Sequence, residues 1–256
     1  VSSLEAAALG GRVSGDASVR LYPEASIMQA HLTGESLRLE ALPGLGGRLA
    51  GSLELDAELS GPLHAPNGQL WASARTVTLS GYSLGSASTQ ASLDGEGVSI
   101  QSFRLGGRKQ GSLDVVGRVG FDQTLDLAVD LYNLPIESVV PTNPTAPSVR
   151  GRASLSGRIG GTMSAPIPQG ELSLVDLVLR DASLGNGGLT LSVRPDGRIG
   201  FSGHLLGEKI ELTGAVSLLP PWNLEAALSF RDVPVETLVP EIKDTVGASA
   251  QVSGTA

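Results

Sequence analysis

The sequence predicts an all-β protein of antiparallel strands with almost no helix. Three observations predict it. Apolar and polar residues alternate with period two along most of the chain. Turn signals interrupt the alternation at intervals of roughly ten residues, the spacing of consecutive antiparallel strands. No amphipathic run of helical length falls between them.

The alternation can be followed strand by strand. Leu53, Leu55 and Leu59 alternate with Glu54, Asp56 and Glu58. Leu113, Val115, Val119 and Phe121 have Asp114, Arg118 and Asp122 beside them. Leu125, Leu127, Val129 and Leu131 alternate with Asp126, Ala128, Asp130 and Tyr132. Ile210, Leu212 and Val216 alternate with Lys209, Glu211 and Thr213, and Leu224, Ala226, Leu228 and Phe230 with Asn223, Glu225, Ser229 and Arg231. A strand sends successive side chains to opposite faces, so each set separates into one apolar and one polar face. A helix would mix them.

Two stretches change phase. Leu172 and Leu174 are followed by Leu177 and Leu179, with Val175 and Asp176 between. Val98 and Ile100 are followed by Phe103 and Leu105. One extra residue in each keeps both pairs on one face, which predicts β-bulges and a strongly curved sheet. Turns are expected at Asp94-Gly95, Asn186-Gly187-Gly188, Pro195-Asp196-Gly197 and Pro220-Pro221. Single helical turns are expected only after Pro135 and Pro234.

Those two turns expose a repeat. Asn133-Leu134-Pro135-Ile136-Glu137-Ser138-Val139-Val140-Pro141 matches Asp232-Val233-Pro234-Val235-Glu236-Thr237-Leu238-Val239-Pro240 at an offset of 99. Gly-rich strands ending in Ser-Gly follow, at Arg150 to Gly157 and Ala248 to Gly254, and Leu59-Ser60-Gly61 is an earlier copy. Ala65-Pro66 with Gly68-Gln69-Leu70 answers to Ala165-Pro166 with Gly170-Glu171-Leu172. The period is roughly 97 to 102 residues and about six strands, which predicts an elongated array of stacked units. The expected division is 1–40 as the end of a preceding unit, 41–141 and 142–240 as two units, and 241–256 as the start of a following one. With no signal peptide at Val1 and an abrupt stop at Ala256, the chain is expected to be an internal piece of a longer protein.

Composition excludes several functions. The net charge is −8, whereas nucleic-acid binding and polybasic membrane patches need clustered Lys and Arg. The absence of cysteine excludes disulfides, a thiol nucleophile and thiolate metal sites. His31, His64 and His204 do not recur at matching repeat positions and are expected on the surface or in loops. The carboxylates fall on the outward phase rather than converging as an acid–base pair. Gly44-Leu45-Gly46-Gly47 and Gly185-Asn186-Gly187-Gly188 have no following helix to make a phosphate cradle and are expected to be turns. Asp94-Gly95-Glu96-Gly97 lacks the remaining ligands of a calcium loop. Trp71 and Trp222 are expected to pack in the core or at its rim. No catalytic residue, cofactor or metal is expected.

The layout of Leu134-Pro135, the Gly151 to Gly157 strand, Ala165-Pro166 and Gly170-Glu171-Leu172 resembles the TamB and AsmA-like proteins. The resemblance implies the envelope of diderm bacteria, with the full-length protein anchored in the inner membrane and crossing the periplasm. It implies a long sheet folded lengthwise into a groove, the β-taco, that conducts phospholipids. It also implies partnership of the full-length protein with an outer-membrane barrel of the Omp85 type, and stacking of each unit on neighbouring repeats of its own chain.

The residues alone leave two arrangements open. An apolar sheet face must be covered, and this sequence supplies no helices to cover it. A second sheet would give a sandwich with a dry core about 10 Å thick. A U-shaped sheet would instead shelter acyl chains, and at about 0.8 kcal/mol per methylene a 16-carbon chain gains on the order of 10 kcal/mol before entropy losses. Only 4% of residues are aromatic, so the lining is smooth and aliphatic. That feature, the repeat and the resemblance favour the groove. Its expected lining is Leu53, Leu55, Leu59, Leu113, Val115, Val119, Phe121, Leu125, Leu127, Val129, Leu131, Leu172, Leu174, Leu177, Leu179, Ile210, Leu212, Val216, Leu224, Leu228 and Phe230. The alternative is a structural scaffold with a dry core that assists outer-membrane protein assembly.

Overall fold

The computed structural model describes residues 2–21, 26–41, 49–62, 64–79, 82–107, 111–138, 148–179, 182–217, 224–234 and 251–255. Among them the chain is all-β, with helical structure confined to two single 3₁₀ turns, η1 (Leu39–Ala41) and η2 (Ile136–Ser138). The expected turn after Pro135 is η2. The one after Pro234, the Gly44 to Gly47 segment, Pro220-Pro221 and Trp222 lie outside the described residues.

Two compact units emerge, Val1–Val129 with Gly160–Pro166, and Asp130–Ile159 with Ile167–Ala256. Unit 1 contains β1 (Ser2–Ala8), β2 (Gly11–Leu21), β3 (Ser26–Arg38), β4 (Leu49–Pro62), β5 (Asn67–Leu79), β6 (Tyr82–Asp94), β7 (Gly97–Gly107) and β8 (Gly111–Gly120). Each pairs antiparallel with the next in an open sheet. Strands β9 (Leu125–Pro135), β10 (Val149–Thr162) and β11 (Ala165–Leu179) follow. In unit 2, β11 pairs antiparallel with β12 (Ala182–Val193), and β13 (Ile199–Leu205), β14 (Ile210–Val216), β15 (Leu224–Pro234) and β16 (Gln251–Thr255) continue in chain order.

Local propensity does not build these strands. Leu and Ala prefer helix, and the aromatic residues that favour strands are sparse. The chain is held extended by its period-two pattern and by glycines that weaken the helical alternative. A slip of one residue would turn every apolar side chain to water, so the pattern also fixes the register.

Both predicted bulges are present. Register shifts fall between Leu174 and Leu177 and between Ile100 and Phe103. The same device occurs in β5, where Ala74 and Val77 flank a shift. Thr76 and Asp176 are the extended-strand exceptions there, each at φ 52. Other positive-φ positions also lie 100 residues apart: Gly51 and Gly151, Gly61 and Gly161, Gly85 and Gly185.

The expected turn at Asn186-Gly187-Gly188 is instead the interior of β12. Gly185, at φ +65, stands opposite Leu177 in a bulge, and Gly187 pairs with both Leu174 and Leu205. The Asn186 side-chain oxygen accepts a hydrogen bond from the Asp176 N–H at 3.0 Å. Glycine here serves close strand approach rather than chain reversal. The turns at Asp94-Gly95 and Pro195-Asp196-Gly197 stand as expected.

Among the described residues each unit has a small buried apolar cluster. In unit 1 it joins Leu39 of η1 to Ala74 and Val77, with Leu49, Leu53, Leu84, Ala87 and Leu105 packed around them. In unit 2 it joins Leu177, Leu205 and Ile210, with Ile136 of η2, Val149, Leu174, Leu184 and Leu206 around them. Ala74, Val77, Leu49, Leu84 and Leu105 of the first have counterparts 100 residues on in the second. Val77 is 2% exposed. Val77→Ala is expected to cost about 2 kcal/mol through lost burial and the cavity left behind, read as a lower urea midpoint at unchanged slope.

Candidate functional site

The candidate site is a sheet face rather than a pocket. In unit 1 the register lines up four apolar rows. The row nearest η1 runs Leu53, Ala74, Ala87, Leu105, Leu113. The next runs Leu55, Ala72, Thr89, Phe103, Val115. The third runs Leu32, Ala57, Leu70, Ala91, Ile100 and Gly117, and the fourth Ala30, Leu59, Gly68, Leu93, Val98 and Val119. Among the described residues of these rows none is charged, and Thr89 is the one hydroxyl. Its Oγ1 donates to the Ser102 carbonyl at 3.0 Å.

The opposite face carries the charge. Asp16, His31, Glu58, Gln69, Ser92, Ser99 and Arg118 form one row there. Ser14, Thr33, Asp56, Trp71, Gln90 and Ser102 form another. The odd–even sorting read from the sequence therefore holds across β2 to β8.

Unit 2 repeats the sorting with larger contrasts. Leu172, Leu189, Gly203 and Leu212 share a row, as do Leu174, Gly187, Leu205 and Ile210, and Leu191, Phe201 and Gly214. Large side chains stand opposite glycines. The Phe201 ring lies over Gly214 so closely that no Cβ fits beneath it. Glu171, Thr190, Ser202 and Thr213 occupy the reverse face.

The apolar face is closed at one end; along the rest Ala57 and Ala91 of the third row are buried and the larger side chains are half-buried. Under η1, Leu37, Leu39, Ala74 and Val77 are buried. Away from it, Leu55, Leu59, Leu70, Leu93, Val98, Val115 and Val119 are only half-buried. In unit 2, Leu172, Leu174, Leu189 and Leu212 are likewise half-buried.

The expected lining residues sort as follows. Leu53, Leu55, Leu59, Leu113, Val115 and Val119 share the apolar face of unit 1. Leu125, Leu127 and Val129 are half-buried while Asp126 and Asp130 are exposed, and Leu131 is half-buried in unit 2. Leu172, Leu174, Leu177, Ile210, Leu212 and Val216 share the apolar face of unit 2. The backbones of Leu224, Leu228 and Phe230 stand opposite Val216, Leu212 and Ile210; their side chains lie outside the described residues.

Two positions depart from the expectation. Phe121 is not in a strand. It lies in the turn after β8 and is 53% exposed. The Asp122 carboxylate takes the Thr124 N–H at 3.0 Å and its hydroxyl at 2.7 Å, closing the chain one residue before the alternation would have continued. Leu179 ends β11 beyond two register shifts and is 38% exposed.

Residues that the alternation did not single out include Leu37, Leu39, Val77, Leu189, Leu191, Phe201 and Leu205. Leu39 was findable. Leu39-Glu40-Ala41 stands 97 residues before Ile136-Glu137-Ser138, and the two turns do the same job.

Three hollows among the described residues, with volumes of about 470 to 520 Å³, open on the polar face. His31 lies in one, with Nε2 3.8 Å from Asp56 and Nδ1 3.8 Å from Glu58. His64 is exposed in a turn, and His204 is on the polar face. No group of three or more metal-ligating side chains occurs among the described residues, and no described helix is long and apolar enough to cross a membrane. Trp71, expected in the core or at its rim, projects from the polar face instead.

The polar face is tied down by charge pairs at its turns. Arg118 holds Asp94 through both guanidinium nitrogens, one at 2.8 Å, and reaches Glu96 at 3.7 Å. Asp94 also accepts the N–H groups of Glu96 and Gly97 at 3.2 and 3.1 Å. The Arg118 hydrogen bond, more than any other influence, lowers the Asp94 pKa to about 2 from the ordinary 3.8. A carboxylate with a depressed folded-state pKa favours the folded chain above its ordinary pKa, and that contribution fades as pH falls toward 2. Between pH 4.5 and 2 the urea midpoint is expected to fall less steeply in Asp94→Asn than in the unaltered chain.

Fold and face together define a class: an antiparallel β-sheet protein with one half-buried aliphatic face and one charged face. Comparisons with protein-family models, with curated proteins and with solved structures find no match.

Proposed function

We propose that this chain is a segment of a periplasm-spanning lipid-transfer scaffold of the TamB and AsmA-like kind, in which the aliphatic face shields phospholipid acyl chains between the inner and outer membranes. The observation that carries the reading is the unbroken sorting of the apolar rows onto one half-buried face. Aliphatic surface left in this state gains from contact with hydrocarbon at about 25 cal/mol per Å². Rows of Leu, Val and Ala without a deep local well suit a chain that slides rather than one that docks.

In this reading the chain is built from units of about 100 residues and six strands, curved into a groove, with neighbouring units continuing the sheet. The features shared at a 100-residue offset support that organisation. The Omp85-type partnership and the inner-membrane anchor belong to the full-length protein. The role is not enzymatic.

Native mass spectrometry of protein purified without detergent tests the proposal. Adducts with the masses of phospholipids are expected. A lipid-free mass from protein expressed in a membrane-containing host would favour the dry scaffold assisting outer-membrane assembly.

A further inference from the structure

We propose that the polar face carries a saccharide-binding hollow around Trp71, and that its ligand is a neutral oligosaccharide chain. This site lies on the face opposite the aliphatic rows and does not rest on the lipid reading. Trp71 stands at the middle of β5, opposite Asp56 of β4 and Gln90 of β6. Its half-buried ring belongs to neither buried cluster and lines a hollow of about 490 Å³. The part of the indole that the fold leaves open on the charged face is apolar surface a ligand can cover.

The surroundings specify the ligand's chemistry. Ser73, Ser88 and Ser102 are short and leave depth beside the ring. Glu54, held by the Ser73 hydroxyl and by Arg75 at 3.5 Å each, and Asp56, 3.8 Å from His31, keep further carboxylate lone pairs that accept strong hydrogen bonds from hydroxyl donors. A pyranose matches this pairing, since its C–H face is apolar and its rim is a ring of hydroxyls. The lining holds two carboxylates and no Lys or Arg, which disfavours an anionic polymer. A quaternary ammonium ligand asks for an aromatic cage, and one ring does not build a cage.

The same chemistry recurs in unit 2. Tyr132 is 66% exposed and lines a hollow of about 470 Å³ with Asp130, Glu171 and serine hydroxyls. There Asp130 is already hydrogen-bonded to Ser156 at 2.7 Å. Two hollows, each lined by one aromatic ring, two carboxylates and several hydroxyls, form an independent pair.

Tryptophan fluorescence titrations with cellohexaose and with N-acetylchitohexaose test the proposal. A saturable change below about 10 mM is expected for at least one sugar, with affinity lost by about tenfold or more in Trp71→Ala. Trp71→Phe keeps a ring and is expected to retain affinity, read from amide chemical shifts of Gln90 and Ser102. Tyr132→Ala is expected to leave the Trp71 titration unchanged while removing sugar-induced shifts at Ser154 and Ser173. Circular dichroism checks the fold of each variant, and the wild-type amide shifts locate the sugar even where a variant does not fold. Absence of saturation with both sugars, a response that survives in folded Trp71→Ala, or a response to choline in place of sugar would overturn the proposal.

Discussion

Leu55→Asp is expected to strip phospholipid from the purified protein, while Glu58→Gln leaves it bound. Leu55 sits inside the second apolar row, between Gly34 of β3 and Ala72 of β5. A carboxylate there stands under hydrocarbon when a lipid is present, and an unpaired charge in that position costs several kcal/mol. Glu58 lies three residues on, facing the other way in the row of His31 and Gln69. Lipid extraction followed by mass spectrometry gives the ratio of phospholipid to protein. Equal losses from the two variants would mean that the faces do not differ in what they hold.

Gly117→Val is expected to destabilise the chain by about 4 kcal/mol, with Gly188→Ala within about 0.5 kcal/mol of wild type. Gly117 lies in β8 at φ +137, where a side chain is strained. A Cβ there would collide with the Asp126 carbonyl oxygen of β9 and stand 2.8 Å from the Leu127 Cα. Backbone does not yield as a flexible side chain does. At Gly188 the nearest atom to an added Cβ is the Leu172 oxygen at 3.9 Å. There alanine removes chain entropy from the unfolded state without meeting anything. Urea titrations of both variants at neutral pH separate the two outcomes.

The legible part of the fold was what period two encodes. Leu113, Val115 and Val119 read as one face because their spacing leaves no other choice, and the register agrees. The bulges at Val175-Asp176 and Gln101-Ser102 were legible as slips in that spacing. What the pattern does not encode is where a strand stops. Phe121 continues the alternation in sequence, yet Asp122 and Thr124 close a turn around it through side-chain hydrogen bonds. Asn186-Gly187-Gly188 has the composition of a turn but lies within a strand, because glycine suits close approach as well as reversal. The η1 cap is legible only through its repeat copy, Ile136-Glu137-Ser138. Ser36 takes a positive φ of 54 without being glycine, so nothing local announces that Leu39 folds back over Val77. Trp71 was misplaced because large aromatics are assigned to cores by default, whereas its parity with Glu54 and Gln69 puts it on the charged face.

Because the chain has no cysteine, a single introduced thiol reports from one chosen place. Leu59→Cys and Gln69→Cys put a fluorescent label on the aliphatic and the charged face of adjoining strands. Quenching by a phospholipid nitroxide-labelled along its acyl chain then shows directly which side meets hydrocarbon. Strong quenching at residue 59 with little at residue 69 is the predicted result. Equal quenching at both, or none at residue 59, would contradict an acyl chain lying on the aliphatic face.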